Sequence, residues 1–213
     1  MRSLVIGDSG GIGAALRNRL AAQGEVIGLS RSRDGLEITS EESVAQALGA
    51  LSGEFQMVFI ATGQLGQPEK SLLQLSSESL LAQFSVNAIG PALVLKHLSR
   101  LLPRAEPCHV GVLSARVGSI GDNGLGGWYS YRTSKAALNQ LVHTAAVELK
   151  RKHPHGVMAC LHPGTVDTEF TAGYTRDKIA PNVVAQMLID VLSGLSAAQS
   201  GGFFDYQGKR VMW

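Results

Sequence analysis

Apolar and polar positions divide the chain into short apolar runs and longer amphipathic stretches. The runs predict strands at 3–6, 25–29, 36–39, 55–61, 110–113, 156–161 and 202–205. Helical periodicity predicts helices at 14–23, 40–51, 76–102, from about 131 onward, and 182–195. Runs that are apolar at every position are typical of strands buried on both faces of a parallel sheet. The alternation therefore predicts the α/β class, with one doubly wound parallel sheet and helices on both faces.

Length and composition favour a single domain over 1–213, because 213 residues suffice to bury a core. A net charge of +2 with scattered basic residues argues against nucleic acid as a partner. No segment approaches the roughly 20 apolar residues that a membrane span needs, and the first strand leaves no room for a secretory leader. Cys108 and Cys160 lie in apolar runs, and the histidines are dispersed, so we expect reduced thiols and no metal. The cytoplasm is the expected location.

A glycine-rich turn follows the first strand and precedes a helix. Glycines let the backbone approach a pyrophosphate closely, and a helix N-terminus offers unpaired N–H groups. The alternative is a turn that needs glycine for steric reasons only. Its position after the first strand favours a nucleotide site formed by Gly7, Ser9, Gly10, Gly11, Ile12 and Gly13.

The residues after the second strand indicate which nucleotide is preferred. Enzymes that prefer NAD usually place a carboxylate about 20 residues past the turn. This chain has Ser30 and Arg31 there, followed by Ser32 and Arg33. A guanidinium with serine hydroxyls suits a 2′-phosphate, so NADP(H) is the predicted cofactor. The alternative is a loop whose basic character has no such role.

The stretch 76–102 has helical periodicity but contains Gly90-Pro91. Proline cannot donate to the carbonyl four residues back, which belongs to Asn87. That carbonyl is then free to bind water or a ligand. A kink needed only for packing is the alternative.

Tyr131 and Lys135 open a predicted long helix, after a glycine-rich loop at 121–127. Residues four apart lie on one helix face, so the phenol and the ammonium approach the same point. A cation lowers the pKa of a phenol from its free value of about 10. The spacing therefore predicts a proton-transfer pair. The alternative is an ordinary helix start with a surface lysine.

Together these features resemble the short-chain dehydrogenase/reductase family over essentially the whole chain. The features that occur in the family's order are Gly7/Gly11/Gly13, Asn87, Ser114 at a strand end, Tyr131 with Lys135, and Pro163-Gly164. The Gly118-Ser119-Ile120 loop and the ending from Phe204 to Trp213 look most like the small carbonyl-reductase branch that includes sniffer and C-factor proteins. The resemblance implies a Rossmann-like fold.

The resemblance also implies roles for individual residues. Tyr131 is the expected acid/base, Lys135 lowers its pKa and holds the ribose, Ser114 positions the substrate oxygen, and Asn87 anchors a water relay. The expected cofactor site comprises the glycine turn, Ser30, Arg31, Ile38, Thr39, Ala61, Thr62, Gly63, Tyr131, Lys135, Pro163, Gly164 and Thr165, and it includes no metal.

The sequence departs from the family's pattern at three places. Ile6 replaces the usual threonine, and Ile60-Ala61-Thr62-Gly63 replaces Asn-Asn-Ala-Gly. Counting back from Gly118 places the family's serine at Ala115, one residue after Ser114. One residue in a strand means the opposite face. A bulge in the long loop before the tyrosine would restore Ser114, and Ser119 is a rival hydroxyl.

The leading hypothesis is an NADP-dependent oxidoreductase that acts on a carbonyl or alcohol group of a small, partly apolar substrate. The alternative is a sensor or signalling protein that keeps the fold and has lost turnover. We expect a substrate loop at 119–130 and a lid at 165–181, which is long and polar. Small apolar residues such as Ala136, Ala137 and Ala145 favour a homodimer or homotetramer through the helices that contain Asn87 and Tyr131.

Overall fold

The computed structural model describes residues 1–175 and 177–213 as one α/β unit. The strands are β1 (Arg2–Ile6), β2 (Glu25–Leu29), β3 (Met57–Ile60), β4 (Cys108–Leu113), β5 (Gly156–His162) and β6 (Phe203–Asp205). The helices are α1 (Gly11–Ala21), α2 (Arg31–Asp34), α3 (Glu41–Gly49), α4 (Ser77–Phe84), α5 (Gly90–Leu98), α6 (Tyr129–Lys152) and α7 (Pro181–Gly194). This confirms the predicted alternation of strands and helices.

The six strands form one parallel sheet in the order β2-β1-β3-β4-β5-β6. The register pairs Ile6 with both Leu29 and Ile60, and Ile60 with Val112. The strands therefore end close together at one edge. The chain order reverses between β1 and β3, and the loops after such strands form the usual ligand crevice of an open α/β sheet.

Alternate strand residues feed two separate apolar layers, as the period of two along a strand requires. One layer packs Leu4, Val58 and Val110 of the sheet against α3, α5 and α6. The other packs Val5 and Phe59 against α1 and α7. Both faces of the sheet are therefore covered, which confirms the doubly wound architecture.

The predicted strand at 36–39 is wrong. Leu36 and Ile38 are buried in the core, but the segment has no strand conformation, and β2 ends the sheet on that side. Side chains take the backbone groups that a strand would use: Glu37 N donates to Ser43 Oγ at 3.0 Å, and Thr39 N donates to Glu37 Oε1 at 3.2 Å. Such local bonds compete with sheet pairing.

The helical stretch 76–102 is divided, as Gly90-Pro91 indicates. Ser85–Ile89 is wound as a π-helix between α4 and α5, and Pro91 lies in the first turn of α5. The expectation that no segment is long and apolar enough for a membrane is wrong, because Ser77–Leu101 passes by length and composition. In the fold α5 packs against α3, and α4 and α5 pack against α6.

Candidate active site

The predicted site residues lie mainly at the edge where the parallel strands end. Gly7 follows β1, Ser30 follows β2, Ala61 follows β3, Ser114 follows β4, and Pro163 follows β5. The first turn of α6, with Tyr131, approaches the same edge. The topology thus brings together residues that are far apart in sequence. From the sequence, only the order of the motifs implied this.

The geometry of the glycine turn requires glycine at two positions. Gly7 has φ of +87°, which favours glycine, and a Cβ on Gly13 would lie 2.1 Å from the Gly7 carbonyl oxygen. The N-cap of α1, Gly10, has no side-chain cap, and the first turn has no acidic residue. The N–H groups and the positive end of the helix dipole therefore remain for an anion, which fits a pyrophosphate.

Thr168 lies over this turn, although the sequence analysis did not select it. A Cβ on Gly11 would lie 2.4 Å from Thr168 Cγ2, so the segment after β5 packs directly on the start of α1. Thr62 Oγ1, beside Gly7, is buried and has no hydrogen-bond partner among the described residues. The Thr62 hydroxyl is therefore available to a polar ligand at this edge.

The end of β2 carries carboxylates that the sequence analysis overlooked. Ser30 N and Ser30 Oγ both donate to Asp34 Oδ2, at 2.8 and 3.3 Å. Asp8 is buried and forms ion pairs with Arg33 and, at 3.5 Å, with Arg17. Of the predicted pair, Arg33 is thus held by a carboxylate, whereas Arg31 is exposed to solvent.

The other predicted cofactor residues differ in their surroundings. A Cβ on Gly63 would lie 3.3 Å from Asn87 Oδ1 and 3.5 Å from Lys135 Nζ, so these three residues meet. Gly164 has φ of +76°, and the Thr165 carbonyl accepts from Ile179 N at 2.8 Å.

Two predicted cofactor residues face other protein groups. Ile38 is buried beneath Gly90, and Thr39 Oγ1 donates to Glu37 Oε1 at 2.7 Å. The Thr39 hydroxyl is thus already satisfied within its own loop. For both residues, contact with the cofactor stays a prediction.

Tyr131 and Lys135 are both buried in the first two turns of α6. Lys135 Nζ lies 6.0 Å from the centre of the Tyr131 ring and donates to the Leu113 carbonyl at 3.0 Å. Burial raises the pKa of Tyr131, with a smaller contribution from Tyr174, and burial lowers the pKa of Lys135 to about 8. The expected lowering of the tyrosine pKa is therefore not found, because desolvation dominates. The phenol is protonated at neutral pH.

Asn87 is fully buried in the π-helical segment and joins three parts of the site. Its Nδ2 donates to Gln64 O at 2.9 Å, Gln83 Oε1 at 2.6 Å and Ser134 Oγ at 3.2 Å. Its Oδ1 accepts from Gln64 N at 2.8 Å. Asn87 thus connects the loop after β3 with α4 and α6, and π-helical turns are frequent at functional sites.

Ser114 is buried at the end of β4, and its hydroxyl donates to Asn139 Oδ1 at 2.6 Å. A hydroxyl has one proton to donate. Ser114 therefore donates to a substrate oxygen only after leaving Asn139. No sequence motif points to Asn139. Ser119 is buried as well, and its Oγ accepts from Asp122 N at 3.0 Å. The role of either serine stays a prediction.

Aromatic rings surround Tyr131. The rings of Trp128 and Phe170 each lie 6.2 Å from the Tyr131 ring, and Trp128 lies 6.1 Å from Tyr174. Phe170 and Tyr174 belong to the predicted lid, and Trp128 to the predicted substrate loop. Arg176, also in the predicted lid, lies outside the described residues. Sequence spacing does not indicate these contacts, because the rings come from separate loops.

A family model described as enoyl-(acyl carrier protein) reductase matches residues 12–192 of the chain. The chain is 31% identical to 1-hydroxy-2-glutathionyl-2-methyl-3-butene dehydrogenase of Rhodococcus sp. (strain AD45), covering 99% of this chain and 98% of that protein. It is 40% identical to the C-signal of Myxococcus xanthus over 131 residues, which are 61% of this chain and 76% of that protein.

Solved structures agree with the fold. The carbonyl reductase Sniffer of D. melanogaster superposes with a TM-score of 0.86 at 21% identity, covering 100% of this chain and 99% of that one. A short-chain dehydrogenase/reductase from Burkholderia multivorans with bound NADP gives a TM-score of 0.82 at 26% identity, covering 100% and 99%. The resemblance to the short-chain dehydrogenase/reductase family is thereby confirmed, and the C-signal and Sniffer are among the proteins to which the chain is similar.

Proposed function

Because the chain belongs to the short-chain dehydrogenase/reductase family and is an oxidoreductase, we propose that it reduces a carbonyl group of a small, partly apolar substrate with NADPH. The observation that carries this proposal is the buried Tyr131, whose pKa is raised by burial. A phenol that holds its proton at neutral pH is suited to donate it to a developing alkoxide. The protonated phenol is the form that the reduction step requires.

Each residue then has a defined task. Bound NADPH supplies the hydride. Tyr131 donates its proton to the substrate oxygen, and Lys135, fixed on the Leu113 carbonyl, keeps a positive charge beside it. Asn87 holds the loop after β3 against α6 and anchors water for proton resupply. Trp128 and Phe170 provide apolar walls that suit a partly apolar substrate and exclude bulk water.

The cofactor site that we propose uses the glycine turn for the pyrophosphate and Arg31 for the 2′-phosphate. The uncapped start of α1 supports the first assignment. The exposed guanidinium of Arg31 supports the second, because Arg33 is held by Asp8. NADP bound to the Burkholderia relative, which is 26% identical, agrees with this choice.

The direct test is to add NADPH with a panel of small aldehydes, aryl ketones and diketones and to follow the loss of nicotinamide absorbance. We expect turnover with at least one apolar carbonyl and much slower turnover with NADH. If NADPH binds tightly but no carbonyl or alcohol of the panel is converted, the reductase proposal fails.

The pH dependence of turnover follows from Lys135. Its pKa, lowered by burial to about 8, means that the ammonium is present below that pH and is lost as the pH rises through it. Tyr131 stays protonated over the same range. We therefore expect kcat/KM for NADPH, which reports on the free enzyme, to fall about tenfold per pH unit above about pH 8. Lys135→Arg, whose guanidinium stays charged, should remove this decline. A wild-type profile that is flat to about pH 10 would contradict the assignment.

We also propose that 165–181 is a lid over the substrate and 119–130 a substrate loop. The packing of Thr168 on Gly11 and of Phe170 on Tyr131 supports a segment that closes over both ligands. Amide exchange in the lid should slow when cofactor and substrate bind together, and exchange that is equally slow in the free protein would contradict a mobile lid.

Self-association through α4, α5 and α6 is the remaining proposal, with the cytoplasm as the proposed location. Apolar side chains are exposed on α6, with Leu141 at 38% and Val147 at 54%, and in the π-helical segment between α4 and α5, with Ile89 at 49%. A homodimer or homotetramer would cover them. Light scattering at micromolar concentration should therefore give a multiple of 22.5 kDa, and a monomer mass would reject this interface.

A further inference from the structure

Glu69, in the loop after β3, is a carboxylate that is only 5% exposed. Its Oε1 accepts from Ser130 Oγ and, at 3.3 Å, from Ser79 Oγ, and its Oε2 accepts from Ser130 N at 3.3 Å. Its carbonyl oxygen accepts from Trp128 N at 2.6 Å. One residue thus binds both the side chain and the backbone of the first residues of α6.

The start of α6 lacks the local groups that usually complete a helix. Trp128, at the N-cap, gives no side-chain cap, and the first turn contains no acidic residue. A carboxylate near a helix N-terminus satisfies unpaired N–H groups and complements the helix dipole. Burial alone would raise the pKa of Glu69, but the hydrogen bonds from Ser130 and Ser79 outweigh it, so the pKa is lowered and the group is ionised. Glu69 therefore supplies the missing cap from a distant loop.

A second contact of Glu69, made by its backbone carbonyl and not by its carboxylate, holds an unusual backbone conformation. Trp128 has φ of +55°, the left-handed region that residues other than glycine rarely adopt. Such conformations persist only where the surroundings fix them. The hydrogen bond from Trp128 N to the Glu69 carbonyl fixes this one and sets the direction of the Trp128 ring, which stands edge-on to the Tyr131 ring at 63°.

Glu69 thus controls two neighbours of the reacting phenol. Ser130 immediately precedes Tyr131, and Trp128 forms one wall around its ring. A displacement of about 1 Å at a reacting group costs on the order of 100-fold in rate.

We propose that Glu69 is a positioning residue that caps α6 and sets the geometry of Trp128 and Tyr131 for proton donation. This inference rests on the proposed function, because its kinetic arm needs a carbonyl substrate. Glu69 does not contact the glycine turn among its described hydrogen bonds, so cofactor binding is expected to be independent of it.

The test uses Glu69→Gln, which keeps the shape of the side chain. An amide has one acceptor oxygen, so it cannot accept from both Ser130 N and Ser130 Oγ through separate oxygens. We expect kcat to fall about 10- to 100-fold while the Kd for NADPH changes less than about twofold. The matched control is Glu78→Gln, an exposed carboxylate nearby on α4, which should leave kcat unchanged.

A spectroscopic arm makes the result independent of turnover. The chain has 2 tryptophans, so a Trp213→Phe background leaves Trp128 as the single reporter. Glu69→Gln keeps the backbone bond to Trp128 but weakens the side-chain hold on Ser130, two residues later. In this background it should therefore loosen the start of α6, move Trp128 emission to longer wavelength and increase its quenching by acrylamide. If the wild-type protein converts no carbonyl compound, the proposed function fails. The Trp128 emission then decides by itself whether Glu69 positions the start of α6.

Two results would overturn the inference. The first is that Glu69→Gln keeps the wild-type kcat and the wild-type Trp128 emission. The second is that Glu69→Gln lowers NADPH affinity and thermal stability as much as it lowers kcat, which indicates general destabilisation. If Glu69→Gln does not fold, Ser130→Ala removes only the hydroxyl contact and should lower kcat severalfold with unchanged NADPH binding. Wild-type kcat in Ser130→Ala would then reject the inference.

Discussion

Tyr131→Phe should lower kcat by about 1,000-fold or more and leave the Kd for NADPH within about threefold of wild type. The substitution removes the proton donor and keeps the ring that packs between Trp128 and Phe170. The Ser114 hydroxyl is not free to replace it, because it donates to Asn139. Steady-state kinetics with the best carbonyl of the panel, together with fluorescence titration of NADPH, measures both quantities.

Ser114→Ala is the matched comparison for this variant. The serine hydroxyl reaches a substrate only after leaving Asn139, so its removal should cost kcat about tenfold, the value of one neutral hydrogen bond. Ser119→Ala should have a smaller effect still. If Tyr131→Phe keeps substantial turnover while either serine variant abolishes it, the phenol is not the proton donor.

Apolar periodicity was sufficient to predict most of the fold. Runs such as 57–60 and 156–161 are buried on both faces, so their pattern is not affected by loops or ligands. Segment 36–39 was mispredicted because Leu36 and Ile38 alternate with polar residues as in a strand. Their side chains are buried beside α5, and the Glu37 carboxylate accepts a hydrogen bond from the backbone N–H of Thr39. A pattern of buried positions does not specify where the backbone hydrogen bonds go.

The site was predictable where its residues are neighbours in sequence and less so where separate loops meet. The helical spacing placed Tyr131 and Lys135 together, as observed. The spacing does not indicate how deeply the two side chains are buried. This burial reverses the expected shift in the pKa of Tyr131. Contacts such as Ser114 with Asn139, or Glu69 with Ser130, join residues 25 and 61 positions apart, and no local pattern reports them.

The end of β2 illustrates the same limit and yields the second large effect. The sequence offered a pair of arginines and assigned the phosphate to Arg31. In the structure Arg33 pairs with the buried Asp8, and Arg31 faces solvent. A carboxylate partner occupies N–H donors of a guanidinium and offsets its positive potential, so Arg33 is less available to a phosphate than Arg31. The two arginines should therefore respond differently to substitution.

Arg31→Ala should weaken NADPH binding by about 10- to 150-fold and change NADH binding less than about twofold. A charge-assisted hydrogen bond of this kind contributes about 1.5 to 3 kcal/mol, and NADH lacks the phosphate that would accept it. Arg33→Ala is the control: it removes the ion pair with Asp8, so it should weaken both cofactors by similar, smaller factors. Isothermal titration of both variants with both cofactors measures this. A selective loss of NADPH affinity in Arg33→Ala but not in Arg31→Ala would assign the phosphate to Arg33, and equal wild-type affinities for NADPH and NADH would reject a phosphate site at this strand end.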